Sequence, residues 1–131
     1  MKLSGVFLSL FVAIGVGTIV TAAGNDPYGT AVGQVAAAYE MQQECNGVGS
    51  FGPEDYQGFV LSATEVLKKQ GLRKNKMRKL LFYGQTVWIQ QEKARILDER
   101  GVNDNNSSAV CSFARNVAGK NDTIGQFLVR E

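Results

Sequence analysis

Hydrophobic positions recur along most of this chain every three or four residues, and the pattern breaks at a few points rich in glycine, proline or asparagine. Asp26 or Asn25 can cap a helix that has Pro27 in its first turn. From there Tyr28, Val32, Val35, Ala36 and Tyr39 share a stripe, which predicts a first helix reaching Cys45. Asn46 and Gly47, tolerant of left-handed backbone, stop it. Pro53, Glu54 and Asp55 open a second helix, "PEDYQGFVLSATEVLKKQG", with Tyr56, Phe59, Val60, Ala63, Val66 and Leu67 facing inward. Its acids at the start and Lys68 and Lys69 at the end complement the helix dipole, and Gly71 ends it. Gly58 is a small interior cost.

The third segment, "LRKNKMRKLLFYGQTVWIQQEKARILDERG", has no internal proline and predicts one helix from about Lys74 to Arg100. Met77, Leu80, Leu81, Val87 and Trp88 surround one line, while Phe82, Ile89 and Ile96 recur every seven residues on another side. A helix apolar on two sides is expected at the centre of a bundle; the alternative gives the Phe82, Ile89, Ile96 stripe to a partner or a second copy of the chain. Gly101 and "VNDNNSSA" form a polar turn. Asn106 or Ser107 then caps a fourth helix in which Val110, Cys111, Ala114 and Val117 share a face. Asn121 or Asp122 caps a last short helix containing Ile124, Phe127 and Leu128. No stretch sustains the two-residue alternation of a strand, so the expected fold is all-α, a small bundle of four to five helices.

The N-terminus adds a different signal. "MKLSGVFLSLFVAIGVGTIVTAAGNDPYG" has one cation, Lys2, then an uncharged run from Leu3 to Ala23 and a first acid at Asp26. That is the anatomy of a secretory leader with small residues at its exit. Cleavage after Ala22 or Ala23 suits the recognition positions, and Ala23 is favoured. An uncleaved anchor competes, because the run approaches the roughly 20 residues a spanning helix needs; Gly5, Gly15, Gly17, Thr18 and Thr21 weaken that reading. Residues 1–23 are therefore expected to be a signal peptide and 24–131 one helical domain.

Export changes the meaning of the two cysteines. In an oxidising compartment Cys45 and Cys111 are expected to pair; two unpaired buried cysteines would fit cytosol better. Without the leader, thirteen basic residues nearly balance twelve acidic ones, so no whole-molecule field points to nucleic acid as a partner.

Several chemistries fall away. The chain has no histidine, which removes the commonest general base, the usual metal ligand and every Ser-His or Cys-His nucleophile. Bonded cysteines leave no thiolate for zinc or catalysis. "CNGVGSFG" contains a literal G-x-G-x-x-G at Gly47, Gly49 and Gly52, yet a helix precedes it where a dinucleotide loop needs a strand, so it reads as a connector. Glu40 and Glu44, one helical turn apart, could in principle act as paired carboxylates, but a sugar cleft is hard to build in a domain this small. "NDNNSS" lacks the glycine and bidentate acid of a calcium loop. Asn105, Asn106 and Asn121 satisfy N-x-S/T. No catalytic residue, metal or cofactor is expected. "RKNKMRK" is the one local concentration of charge: Arg73, Lys74, Lys76, Arg78 and Lys79 crowd a helix N-terminus. The helix dipole adds positive charge there, so a bound anion would relieve the repulsion; a merely solvated face is the competing reading.

"EKARILDERGVN" followed by "AVCSFARNVAGKNDTIGQFL" resembles an uncharacterised family of small secreted alphaproteobacterial helical proteins, a domain of unknown function. The matching positions are Cys45, Gly71, Glu92 with Lys93, Gly101, Cys111, Arg115, Ile124 with Gly125, and Phe127 with Leu128. Arg73 and Lys74 depart from the pattern, where the family tends to place a serine or an acid. The resemblance implies export, helices and a disulfide, and no activity.

The expected function is that of an exported, periplasmic or secreted, helical binding protein with no catalysis. Its partner is expected to be a protein or an anionic envelope component, with membrane contact only if residues 1–23 stay attached. Two other readings compete: a periplasmic acid-stress chaperone that uncovers apolar helix faces when carboxylates protonate, and a membrane-anchored accessory subunit of an envelope complex.

Overall fold

The computed structural model describes residues 26–131; the expected leader lies outside them. The elements are α1 (Pro27–Glu44), β1 (Val48–Ser50), α2 (Tyr56–Lys69), α3 (Lys74–Tyr83), α4 (Thr86–Glu99), α5 (Ser107–Val117), a 3-10 turn at Gly125–Phe127, and β2 (Leu128–Arg130). Among the described residues no helix is long and apolar enough to cross a membrane.

Three helices are capped by a side chain, two of them, at Asp26 and Asn106, where the sequence offered a cap, and the third at Asp55, which was expected inside the first turn. The carboxylate of Asp26 accepts from the Tyr28 amide at 3.0 Å, that of Asp55 from Gly58 at 2.9 Å, and the side chain of Asn106 from Ala109 at 3.0 Å. Gly71 and Gly101, with φ of +97° and +75°, end α2 and α4 in the left-handed region. Helix α2 begins at Tyr56, so Pro53 and Glu54 lie ahead of it and its first turn holds no acid. Gly58 is required there, because a Cβ would come within 2.5 Å of the Pro53 ring.

The central helix is α1. Gly29, Ala31, Val32, Gly33, Val35, Ala36, Ala37, Ala38 and Met41 are all buried, which covers every side of the rod. Alanine and glycine weigh little on a hydropathy scale, yet they let neighbours approach closely on all sides. At Gly33 a Cβ would stand 2.6 Å from the Glu92 carbonyl oxygen and 2.7 Å from Ile96 Cγ1, so α4 lies almost backbone to backbone on α1.

The single helix expected from Lys74 to Arg100 is instead two, α3 and α4, broken at Gly84 and Gln85. Gly84 is extended (φ −74°, ψ 169°), and a Cβ there would overlap the Leu80 carbonyl oxygen. A straight rod of that length would run about 40 Å against about 27 Å for α1; the break folds it back along the core. The expected Phe82, Ile89, Ile96 stripe therefore does not exist as one face. Ile96 is 4 % exposed in the core, Ile89 is partly buried against it, and Phe82 sits on α3 with its ring 6.4 Å from that of Tyr56.

The expected last helix is also different. Asp122 does cap a turn, accepting from the Ile124 and Gly125 amides at 2.8 and 2.9 Å. Only one 3-10 turn follows before β2 pairs antiparallel with β1, in the register Val48↔Arg130, Gly49↔Val129 and Ser50↔Leu128. Three residues per strand are too few to display a two-residue period, so this ribbon left no trace in the pattern. Gly49 of the G-x-G-x-x-G lies in β1, directly after α1, in a connector.

Cys45, the C-terminal cap of α1, and Cys111, mid-way along α5, form a disulfide with their Cα atoms 5.2 Å apart. The bond places the molecule in an oxidising compartment outside the cytosol. Ala114 and Val117 of α5 are buried on the clipped face, and Phe59, Val60, Ala63 and Leu67 of α2 complete the core with Met77, Leu81 and Leu97.

Candidate functional site

Charge in this molecule is divided by region. Between Tyr56 and Gln91 stand seven lysines and arginines and one acid, Glu65; the other described residues carry six cations and eleven acids. Near-neutrality of the whole thus hides a strongly cationic α2–α3 segment set against an acidic remainder. Cations concentrated on neighbouring elements in this way attract anions to them.

The five cluster residues are all brought onto α3 and its entrance, where they fall into three groups. The Arg73 amide donates to the Tyr28 hydroxyl at 3.1 Å, and Lys76 Nζ lies 4.2 Å from the centre of the Tyr28 ring. That amide bond, helped by the two positive charges, holds the Tyr28 phenol below its usual pKa. Lys74 reaches across to Glu65 of α2, and the pair holds the Glu65 carboxyl below its ordinary value. Arg78 and Lys79 are exposed and form no ion pair among the described residues. Helix α3 starts at Lys74 without a side-chain cap from Arg73 and has no acid in its first turn to balance its free amides.

Arg78 and Lys79 stand beside apolar side chains that are open to solvent. Tyr83, one turn beyond Lys79, is 81 % exposed, and Leu61, from α2 on the far side of the same groove, is 40 % exposed. The groove has a volume of about 700 Å³ and is also lined by Phe82, Gln57 and Asn75. Beneath it Tyr56 donates its hydroxyl to the Leu81 carbonyl at 2.6 Å and packs edge-on against Tyr39, its ring centre 5.1 Å away, so the groove floor is rigid. Burial raises the Tyr56 phenol above its usual pKa. The cations were legible in the sequence. Leu61 and Tyr83 were not, because only the α2–α3 pairing makes them neighbours; the one local sign was an aromatic a helical turn after Lys79, on the solvent side.

A second set of charges is used internally. Lys93, 5 % exposed, donates to Glu40 at 2.6 Å and lies 3.2 Å from Asp104. Burial alone would lower its pKa, but the two carboxylates outweigh that and raise it. These groups, with Glu44, Ser107 and the disulfide, line a small pocket of about 120 Å³. Glu40 also accepts from Gln90 at 3.2 Å, so the Glu40 and Glu44 pair is not a matched pair of free carboxylates. The side chains of the "NDNNSS" turn are likewise committed: Asn103 to the Asn105 amide, Asp104 to Lys93 and Asn106 to its helix. Among the described residues no group of three or more Cys, Asp or Glu side chains is arranged to hold a metal ion.

No protein-family model, curated protein or solved structure matches this chain. The resemblance to the secreted alphaproteobacterial family therefore rests on the residues quoted for it alone.

Proposed function

We propose that this is an exported helical binding protein, periplasmic or secreted, which holds an anionic component of the cell envelope on the outer face of α2 and α3 and works without catalysis or cofactor. The observation that carries this reading is the pair Arg78 and Lys79, exposed and without acidic partners on a helix whose entrance is cationic and uncapped. Folded proteins commonly intersperse their charges; six cations against one acid over two adjacent helices raise repulsion that a bound polyanion relieves. The rest of the fold serves that face by holding it rigid through Tyr56, Tyr28 and the core.

Binding of the exported protein to a panel of polyanions, namely polyglutamate, polyphosphate and anionic vesicles, tests the reading. At least one is expected to bind with an affinity that falls steeply with salt and drops in the Arg78→Gln, Lys79→Gln double variant. Failure of all three, or indifference to the double variant, contradicts it.

A second reading, the acid-triggered chaperone, is favoured by the ionic clip at Asp122. Arg100 holds this carboxylate at 2.5 Å, and the turn it caps carries Ile124 and Phe127 and leads into Leu128, all buried. Loss of the clip in acid would uncover apolar surface. Binding of a hydrophobic dye across an acid titration decides: a flat response down to about pH 3, where most carboxylates are protonated, removes this reading.

A further inference from the structure

We infer that the anionic component is a lipid bilayer surface, and that the molecule lies on it with the outer face of α3 against the headgroups; this rests on the cationic face proposed above. The face combines two features that a soluble polyanion cannot use together. Arg78, Lys79 and Lys76 supply charge without a competing acid on α3. Between and beside them Tyr83 and Leu61 project apolar surface into water, and Val87 at the start of α4, four residues after Tyr83, is 68 % exposed. A bilayer interface satisfies both, since phosphate oxygens pair with the cations while tyrosine and aliphatic side chains settle among glycerol and upper acyl groups. A soluble acidic polymer would leave the apolar side chains wet.

The entry point of the chain supports the same orientation. Tyr28, in the first turn of α1, touches Arg73 and Lys76, so the polypeptide enters the fold at the cationic edge. Only Gly24 and Asn25 separate Asp26 from the uncharged run that ends at Ala23. Docking itself does not need the leader, because each basic side chain near an anionic surface contributes on its own.

The test uses the exported protein as isolated, in sedimentation with mixed phosphatidylglycerol and phosphatidylcholine vesicles and with phosphatidylcholine alone. Binding at least tenfold tighter to the anionic vesicles is expected. Replacing Arg78 and Lys79 by glutamine should weaken it by roughly 25-fold, about fivefold per cation. Tyr83→Ser should weaken it several-fold at unchanged salt dependence, whereas Lys120→Gln, outside the α2–α3 segment, should leave it unchanged. All these side chains are exposed, and retained helical circular dichroism confirms that each variant folds. Equal affinity for both vesicle types, or no effect of the double variant, overturns the inference. Polyglutamate or polyphosphate binding that depends on Arg78 and Lys79, with no vesicle binding, overturns the bilayer and leaves the anion-binding reading standing; absence of binding to all three removes both.

Discussion

Lys93 shows how a single residue organises this core. Its ammonium is almost fully buried, while the side chains of Glu40 and Asp104 keep 33 % and 28 % of their surface in contact with solvent. The partners are therefore unequal: the carboxylates can be rehydrated if the lysine is lost, but the lysine cannot be rehydrated if they are. Glu40→Gln with Asp104→Asn should destabilise the fold by about 3 kcal/mol or more, and Lys93→Met by clearly less, read by chemical denaturation with the disulfide intact. Because the folded Lys93 pKa is raised above 10.5, its contribution is complete below that pH and is lost as pH rises through the folded value. Gly33 is a second such residue. Gly33→Ala would force the Glu92 backbone and Ile96 away from α1, and an overpacking cost of about 1–3 kcal/mol is expected.

Among the elements, the C-terminal turn and the α3–α4 corner are where stability is most local. Burial would raise the Asp122 carboxyl, but the Arg100 guanidinium and the Gly125 and Ile124 amides outweigh it and hold the group below its ordinary 3.8. A depressed carboxyl stabilises above the unfolded pKa and ceases to do so as pH falls through the folded one. Protection of the Ile124 and Gly125 amides, taken relative to their intrinsic exchange at each pH, should therefore fall below about pH 4, before protection within α1 does. Gly84→Ala should also destabilise, since its Cβ meets the Leu80 carbonyl and the substitution favours the straight rod that the core cannot accept. This corner marks the limit of what the sequence disclosed. Asp26, Asn106, Gly71 and Gly101 announced helix ends because caps and left-handed stops act within a few residues. Gly84 did not, because one glycine costs a helix only about 1 kcal/mol and the decision to break was made by packing against α1. The ribbon and the centrality of α1 were hidden for the same reason: both depend on neighbours far away in the chain.

For the molecule as a whole, two features set the behaviour: a covalent clip and an uneven distribution of charge. The Cys45–Cys111 bond closes a loop spanning a sequence separation of 66, and its reduction should lower stability by roughly 4 kcal/mol in the chain-entropy model, a large share of a small domain's total. Thermal unfolding with and without reductant measures this. The charge division was half legible, since "RKNKMRK" stood out while its apolar companions Leu61 and Tyr83 needed the paired helices to become a surface. The central claim is that this face is where the molecule binds, and lysine footprinting on saturation with the anionic ligand tests it most directly. Protection of Lys76 and Lys79 with Lys120 unchanged is the predicted result; unchanged labelling at Lys76 and Lys79, or protection centred on Lys120, would contradict it.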